Sequence, residues 1–363
     1  MARKKNSVLR GLCCAVICMA AMTPTPAIAA PPSKWPAPDG PLTERYHALR
    51  HGGIVRAANT AITCRKPVGT ATACRAVQRG AGGDNADYEM FYSDVDRDPN
   101  TYNSTRARLR LPKTSKVRYA RLYWGGNLRV GEVKPAKDNG RVLLAEPRGA
   151  YRPVWSDTLR TYRRGGGVDA YQASANVTPL VGRSGPGSYT VAQVNVAKGH
   201  SAAGAWGGWT LVVVYEDAKA PLRHLTLWDG LAAPGSRTAG VSAGSRYLGF
   251  PAGAKGSVGV VGYDGDRGSA RESFTLAADK RAGTPLSNSV NPSRDTFNST
   301  ITDRGREVPG RTPAHRNTLG YDSDVFDAAT ALRPGGRRLL FRFASRDDDY
   351  LLGALYAQVD ARR

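Results

Sequence analysis

The chain has 363 residues, 52 of them basic and 30 acidic, for a formal charge of +22. Beyond the first thirty residues no stretch reaches the roughly 18 consecutive apolar residues that a membrane-spanning helix needs, which excludes a helical membrane protein. The charge draws polyanions by long-range attraction, yet no run of five or six consecutive basic residues marks a specific nucleic-acid contact.

Residues 1–30 read as a cleaved bacterial secretory leader. Arg3, Lys4, Lys5 and Arg10 precede the apolar stretch GLCCAVICMAAM, and TPTPAIAA follows with small residues at Ala27 and Ala29. Cleavage is predicted after Ala29 or Ala30. The apolar stretch is too short to span a bilayer. No twin arginine is present, which predicts export in the unfolded state, and Ile17 before Cys18 is wrong for a lipoprotein box. The Ala361-Arg362-Arg363 end carries no sorting motif, so a secreted, extracellular protein is expected, in contact with the cell wall without covalent attachment.

Cys13, Cys14 and Cys18 belong to the leader. Cys64 and Cys74 remain, and a lone pair in an exported chain predicts a disulfide. The Pro-rich PPSKWPAPDGPLTER opens an expected tether, which with the disulfide-closed segment covers residues 31–85.

Next, Asp94, Asp96, Asp98 and Asn100 place oxygen ligands at alternate positions, a pattern that suits Ca²⁺. It is not an EF-hand loop, because Pro99 stands where the glycine belongs. The competing reading is a run of Asx turns. No other cofactor is implied.

Short β-rich runs then recur between turn formers, the signature of sandwiches or barrels. Residues 117–124, VRYARLYW, alternate Ala120, Leu122 and Trp124 against Tyr119, Arg121 and Tyr123. The run YTVAQVNV, 189–196, changes phase, which predicts a bulge near Ala192-Gln193. Residues 209–215, WTLVVVY, are apolar on both faces and predict a central strand. Leu339, Phe341 and Phe343 are expected to point inward, as are Leu355, Ala357 and Val359. Trp124 and Trp209 are assigned to the core. Tyr119, Tyr123 and Trp206 are the candidate exposed aromatics for ligand contact. The run ANVTPLVGRSGPGSYTVAQVNV leading to GGWTLVVVYED is echoed by FDAATALRPGGRRLLFRF leading to DDYLLGALYAQVD. This weak repeat predicts an all-β chain of two jelly-roll or immunoglobulin-like sandwiches in tandem, at 86–235 and 236–363, with helical turns only.

Catalytic patterns fail on context. Gly240-Val241-Ser242-Ala243-Gly244 matches a nucleophile elbow but lacks the strand before and helix after it. His47, His51, His200, His224 and His315 show no metal spacing, and His200 beside Ser201 is the sole base–nucleophile pair by sequence. Asp169 and Glu216 are conceivable glycosidase carboxylates without support. Asp324 and Asp327 are expected to cap a helical turn, Asp264-Gly265-Asp266 to form a turn and Asp347-Asp348-Asp349 a solvated loop.

Taken in order, NTAITC with its second cysteine, YSDVDRDPNTYNSTRARLRLP, ARLYWGG, GGWTLVVVYED with LTLWDG, and NPSRDTFNSTI with NTLGYDSDVFD resemble one family. It is the N-terminal β-sandwich region of exported, adhesin-like bacterial surface proteins that carry tandem repeats. The likeness runs from about Gly53 to Asp360. The resemblance implies a surface or extracellular role in adhesion, assembly or matrix contact, with no established enzymatic activity. This chain stops where the family's repeats would begin. The expectation is therefore a non-catalytic interaction protein whose partner is an extracellular protein or polymer, including an anionic wall polymer. The alternatives are a secreted carbohydrate-active enzyme and a calcium-stabilised carbohydrate-binding module.

Overall fold

Alternating side chains make strands here because each pleated strand buries one face or both against another sheet. The computed structural model describes residues 42–234, 241–244 (backbone only), 248–268, 272–345 and 350–362. Its first half contains β1 (Thr43–Thr60), β2 (Ile62–Pro67), β3 (Tyr88–Tyr92), β4 (Ser104–Leu109), β5 (Lys116–Asn127), β6 (Arg141–Ala145), β7 (Tyr151–Trp155), β8 (Thr158–Arg164), β9 (Val168–Asn176), β10 (Gly187–Ala192) and β11 (Gly207–Glu216). The second half contains β12 (Leu222–Ala232), β13 (Val241–Gly244), β14 (Gly256–Tyr263), β15 (Ser273–Ala278), β16 (Thr284–Pro285), β17 (Thr302–Asp303), β18 (Arg306–Glu307), β19 (Arg311–Thr312), β20 (Tyr321–Asp327), β21 (Leu339–Ala344) and β22 (Leu351–Asp360). The α-helices are short: α1 (Cys74–Gln78), α2 (Thr178–Ser184) and α3 (Ala329–Leu332).

The protein is all-β, and both halves have jelly-roll strand order. In the first, β1-β11-β5-β9 faces β4-β10-β6-β7. In the second, β12-β22-β14-β20 faces β13-β21-β15-β16. Numbered within each half without β2, β3, β8 and β17–β19, both read first, eighth, third, sixth against second, seventh, fourth, fifth. The sequence repeat is thus β9-α2-β10-β11 echoed by β20-α3-β21-β22.

The two inner sheets are continuous through β1. Its first part, to His51, pairs with β12, and from Gly52 onward it pairs with β11. Gly52 sits at that change of partner, where a Cβ would lie 2.0 Å from the Tyr215 carbonyl oxygen. Leu122, Trp124, Trp209 and Leu211 pack with Leu144, Tyr189 and Val191 in the first core. Trp228, Val258, Phe274, Phe341, Phe343 and Leu355 fill the second. A third layer, including Val212, Val214, Leu225, Leu227, Tyr263 and Tyr356, joins the inner sheets face to face.

Several expectations are corrected. The predicted tether holds β1 from Thr43 onward, the strand both sandwiches share, and the second sandwich starts with β12 at Leu222 rather than at 236. The phase change at 189–196 is a strand end rather than a bulge: β10 stops at Ala192 and Gln193 turns the chain at φ 62°. Tyr123 and Trp206 are fully buried, because the face that alternation left for solvent is covered by the other sandwich.

That joining layer is polar at one end. Asp229, 4% exposed in its side chain, accepts from Arg45 Nε (2.8 Å), Arg45 Nη2 (3.0 Å) and Tyr123 Oη (3.0 Å), with Arg121 Nε at 3.4 Å. Gln172 Nε2 donates to the carbonyls of Gly230 (2.7 Å) and Gly353 (2.9 Å) and its Oε1 accepts from Tyr263 (3.0 Å). These bonds satisfy polar groups that would otherwise be costly at that depth.

Candidate functional site

A cleft of about 620 Å³ opens where the sandwiches meet, lined by residues of β1, β4, β22 and the β17–β18 hairpin. Arg56 of β1 and Tyr356 of β22 line its buried side, at 8% and 3% exposure. Arg56 Nη2 donates to the Thr302 carbonyl (2.5 Å) and to that of Ser323, which fixes the guanidinium. Its Nε and the Tyr356 hydroxyl are sealed from solvent, with the hydroxyl beside the Arg56 guanidinium. Burial holds the Tyr356 phenol above its ordinary range, against the opposing pull of Arg56. The hydroxyl therefore keeps its proton and remains a donor.

The rim is cationic. Arg108 ends the exposed face of β4 and Arg110 follows it. Arg304 and Arg306 flank Gly305 in the turn joining β17 to β18. Arg304 and Gly305 both have positive φ, 49° and 74°, the geometry of a tight hairpin turn. The side chains of these four exposed arginines have no hydrogen-bond or ion-pair partner among the described residues. Glu307, also on the rim, is paired with Arg311 Nη2 at 3.2 Å. Asp303 is the other acidic lining residue, so the cleft carries a surplus of positive charge.

A buried polar network supports this side of the cleft. Asp324 accepts from Thr302 Oγ1 (2.6 Å) and the Thr302 amide (2.7 Å), and Asp322 accepts from the Thr300 amide (2.9 Å). Thr302 Oγ1 also reaches Asn291 Oδ1 at 3.0 Å. Burial pushes both carboxyls up, Asp324 to about 6 and Asp322 further, helped by Asp324 beside it. Hydrogen bonds from Thr302 and the charge of Arg56 hold Asp324 down in part.

Sequence-selected residues fall elsewhere. Cys64 and Cys74 are disulfide-bonded, with Cα atoms 5.4 Å apart. In the Asp94–Asn100 loop, Asp94 accepts from Ser104 Oγ (2.6 Å), Asp96 from the Asp98 amide (2.9 Å) and Tyr151, and Asp98 from the Asn100 amide (2.9 Å). Those are Asx turns and side-chain bonds. Among the described residues no three His, Cys, Asp or Glu side chains are grouped to hold a metal. Tyr119 is half-buried and stacks on Tyr46 at 4.7 Å. Trp206 lies 6.0 Å from the Tyr263 ring.

Ser242 lies inside strand β13, opposite Arg342, not at a strand-to-helix elbow. Ser201 Oγ has no hydrogen-bond partner, so the exposed His200 does not activate it. His51 Nδ1 lies 2.8 Å from the Ala220 carbonyl. His47 and His224 stack at 5.9 Å, and burial, then His47, lowers the His224 pKa. Burial and then Arg311 lower His315 to about 4. Asp169 accepts from Arg163, and Glu216 from Arg50 and Arg118. Asp327 accepts from the Ala329 amide (2.7 Å) at the start of α3, whereas Asp324 belongs to the buried network and caps nothing. Asp264 and Asp266 follow β14, and both accept from Asn85 Nδ2. Asp347-Asp348-Asp349 lies outside the described residues.

Sequence reading missed the cleft. Its one local signal was Arg56, a charge inside the apolar run GIVRAANTAI. The rim arginines come from separated segments that only the fold unites.

No protein-family model and no curated protein matches the chain. Among solved structures, a chain from the atomic structure of Sulfolobus Turreted Icosahedral Virus is 9% identical, over 85% of this chain and 91% of that one, with a TM-score of 0.22. A second, described as PBCV-1 VP54 fitted into a reconstruction of the virophage Sputnik, is 11% identical over 85% and 94%, with a TM-score of 0.23. Likenesses this weak carry no argument, and the jelly-roll description rests on strand order.

Proposed function

We propose that the chain is a secreted, non-catalytic double-sandwich protein that makes extracellular or cell-surface contact by binding an anionic polymer in the arginine-lined cleft. One observation carries the reading. Four exposed arginines whose side chains have no partner among the described residues surround one cleft. Surface arginines are usually dispersed, and a surplus of unpaired guanidinium groups around one concavity concentrates positive potential there. Arginine also suits planar, bidentate recognition of carboxylate and phosphate. The predicted leader and the disulfide agree with an oxidising, extracytoplasmic location.

The test is retention on immobilised polygalacturonate, poly(glycerol phosphate) and neutral dextran. Retention on both anionic supports is expected, together with release by salt, since screening shortens such attraction to about 8 Å at physiological ionic strength. Arg108→Glu with Arg110→Glu should abolish it. Equal retention on dextran, or no difference between the variant and the native chain, would reject the reading.

A further inference from the structure

The cleft runs along the open edge of a strand. β1 is held to β11 in a fixed register: the Ala61 amide donates to the Gly207 carbonyl (2.9 Å) and the Asp217 amide to the His51 carbonyl (3.0 Å). In that antiparallel ladder the odd-numbered residues of β1 bond to β11, and the even-numbered ones turn their N–H and C=O to the other side. There the Gly52 amide donates to the Pro221 carbonyl (3.3 Å) and the Ile54 amide to Gln358 Oε1 (2.9 Å). The Ile54 carbonyl and the N–H and C=O of Arg56 face the same side with no hydrogen-bond partner among the described residues. Ile54, Val55, Arg56 and Gln358 all line the cleft. Successive side chains of a strand point to opposite faces, so only its edge brings three in a row to one cavity. Val55 and Gln358 are partly exposed, which leaves this edge within reach of solvent.

Building on the polyanion reading, we infer that the cleft docks an extended acidic polypeptide, which adds to β1 as a strand. An open edge is a template for another strand. It repeats its donors and acceptors every two residues, about 6.6–6.8 Å, and an extended peptide repeats the complementary set at that spacing. Uronate and glycerol phosphate polymers carry no such alternation of N–H and C=O. Charge sets the side chains. Arg56 reaches the Thr302 carbonyl, so the Arg304–Arg306 turn lies on one face of β1. Val55 packs on the first core, so β4 with Arg108 and Arg110 lies on the other. Both alternating sets of side chains on an added strand therefore meet guanidinium groups, which selects carboxylates at successive positions.

Calorimetric titration of the full chain at constant ionic strength tests this with three end-blocked oligo-L-glutamates of equal length and charge. One is unmodified, one is N-methylated at every second amide and one at every amide. Only one edge of an added strand faces β1, so the half-methylated oligomer should bind like the unmodified one, its methyl groups turned to solvent. The fully methylated oligomer keeps its charge and loses every donor, and should bind at least about tenfold more weakly. Arg108→Glu with Arg110→Glu should abolish binding of the unmodified oligomer. Equal binding of all three, or equal loss in both methylated forms, overturns strand addition while the polyanion reading stands. Binding of none of them, with retention on polygalacturonate and poly(glycerol phosphate) intact, assigns the cleft to a glycan or polyphosphate chain and overturns the polypeptide. Failure of the oligoglutamates and of the anionic supports alike overturns both readings.

Discussion

The two sandwiches share one strand order and differ in how the chain reaches the sixth strand of each. In the first, the link from β7 to β9 carries only β8, laid on the sheet edge. In the second, the link from β16 to β20 holds β17, β18 and β19, the Asn291–Thr302 network and the Arg304–Arg306 turn, and it crosses to pair with β4 of the first. The repeated scaffold therefore supplies two similar cores. The unrepeated insertion supplies much of the cleft.

If the cores are equivalent, matched truncations should cost alike. Trp209→Ala in the first and Phe341→Ala in the second each remove a fully buried ring, with an expected loss of about 3–5 kcal/mol. Both should lower the denaturant midpoint of a single unfolding transition, because β1 belongs to both inner sheets. Two separate transitions would break the comparison.

The joining layer comes next. Asp229→Ala deprives Arg45 and Tyr123 of their acceptor and should cost roughly 3 kcal/mol in the same experiment, because breaking a buried ion pair leaves a charge uncompensated. A loss below that of an ordinary surface substitution would mean that the layer contributes little. Cys64→Ala opens a short disulfide loop at the edge of the first sandwich and should cost about 2–3 kcal/mol. Equal stability of oxidised and reduced native protein would contradict that.

The insertion should also make stability depend on pH. Folded Asp324, at about 6, and Asp322 hold protons that the unfolded chain releases near pH 4. Their stabilisation is present below the unfolded pKa and is lost as pH rises through the folded one. Melting temperature should therefore fall as pH rises from about 4 through 6 and beyond, and Asp322→Asn should flatten that slope. An unchanged slope in the variant would remove the pair as its origin. The smallest effect is expected of calcium: the Asp94–Asn100 loop already spends its carboxylates on internal hydrogen bonds, so millimolar calcium should leave the melting temperature unchanged. A clear upward shift, lost in Asp96→Ala, would restore the metal site.

Sequence legibility followed the range of the interactions. Residues 117–124, 209–215, 339–343 and 355–359 were readable as strands because alternation is local, and the repeat was readable because both copies keep their turn chemistry. β1 was missed because its first part, TERYHALRH, buries no side chain fully and follows a Pro-rich lead. Tyr123 misled because nothing near it in sequence shows that β12 supplies an acceptor at Asp229. The disulfide needed only a count of cysteines. The cleft needed the fold, since Arg56, Arg108 and Arg304 meet through pairings between distant strands.

The most direct test of the account compares two charge reversals that change the net charge equally. One is Arg304→Glu with Arg306→Glu on the cleft rim, and the other is Arg75→Glu with Arg79→Glu, exposed at α1. Binding of poly(glycerol phosphate) should weaken by at least about tenfold in the rim variant and remain near the native value in the α1 variant. Equal weakening in both would show that the chain attracts polyanions through its overall charge and that the cleft is not the site.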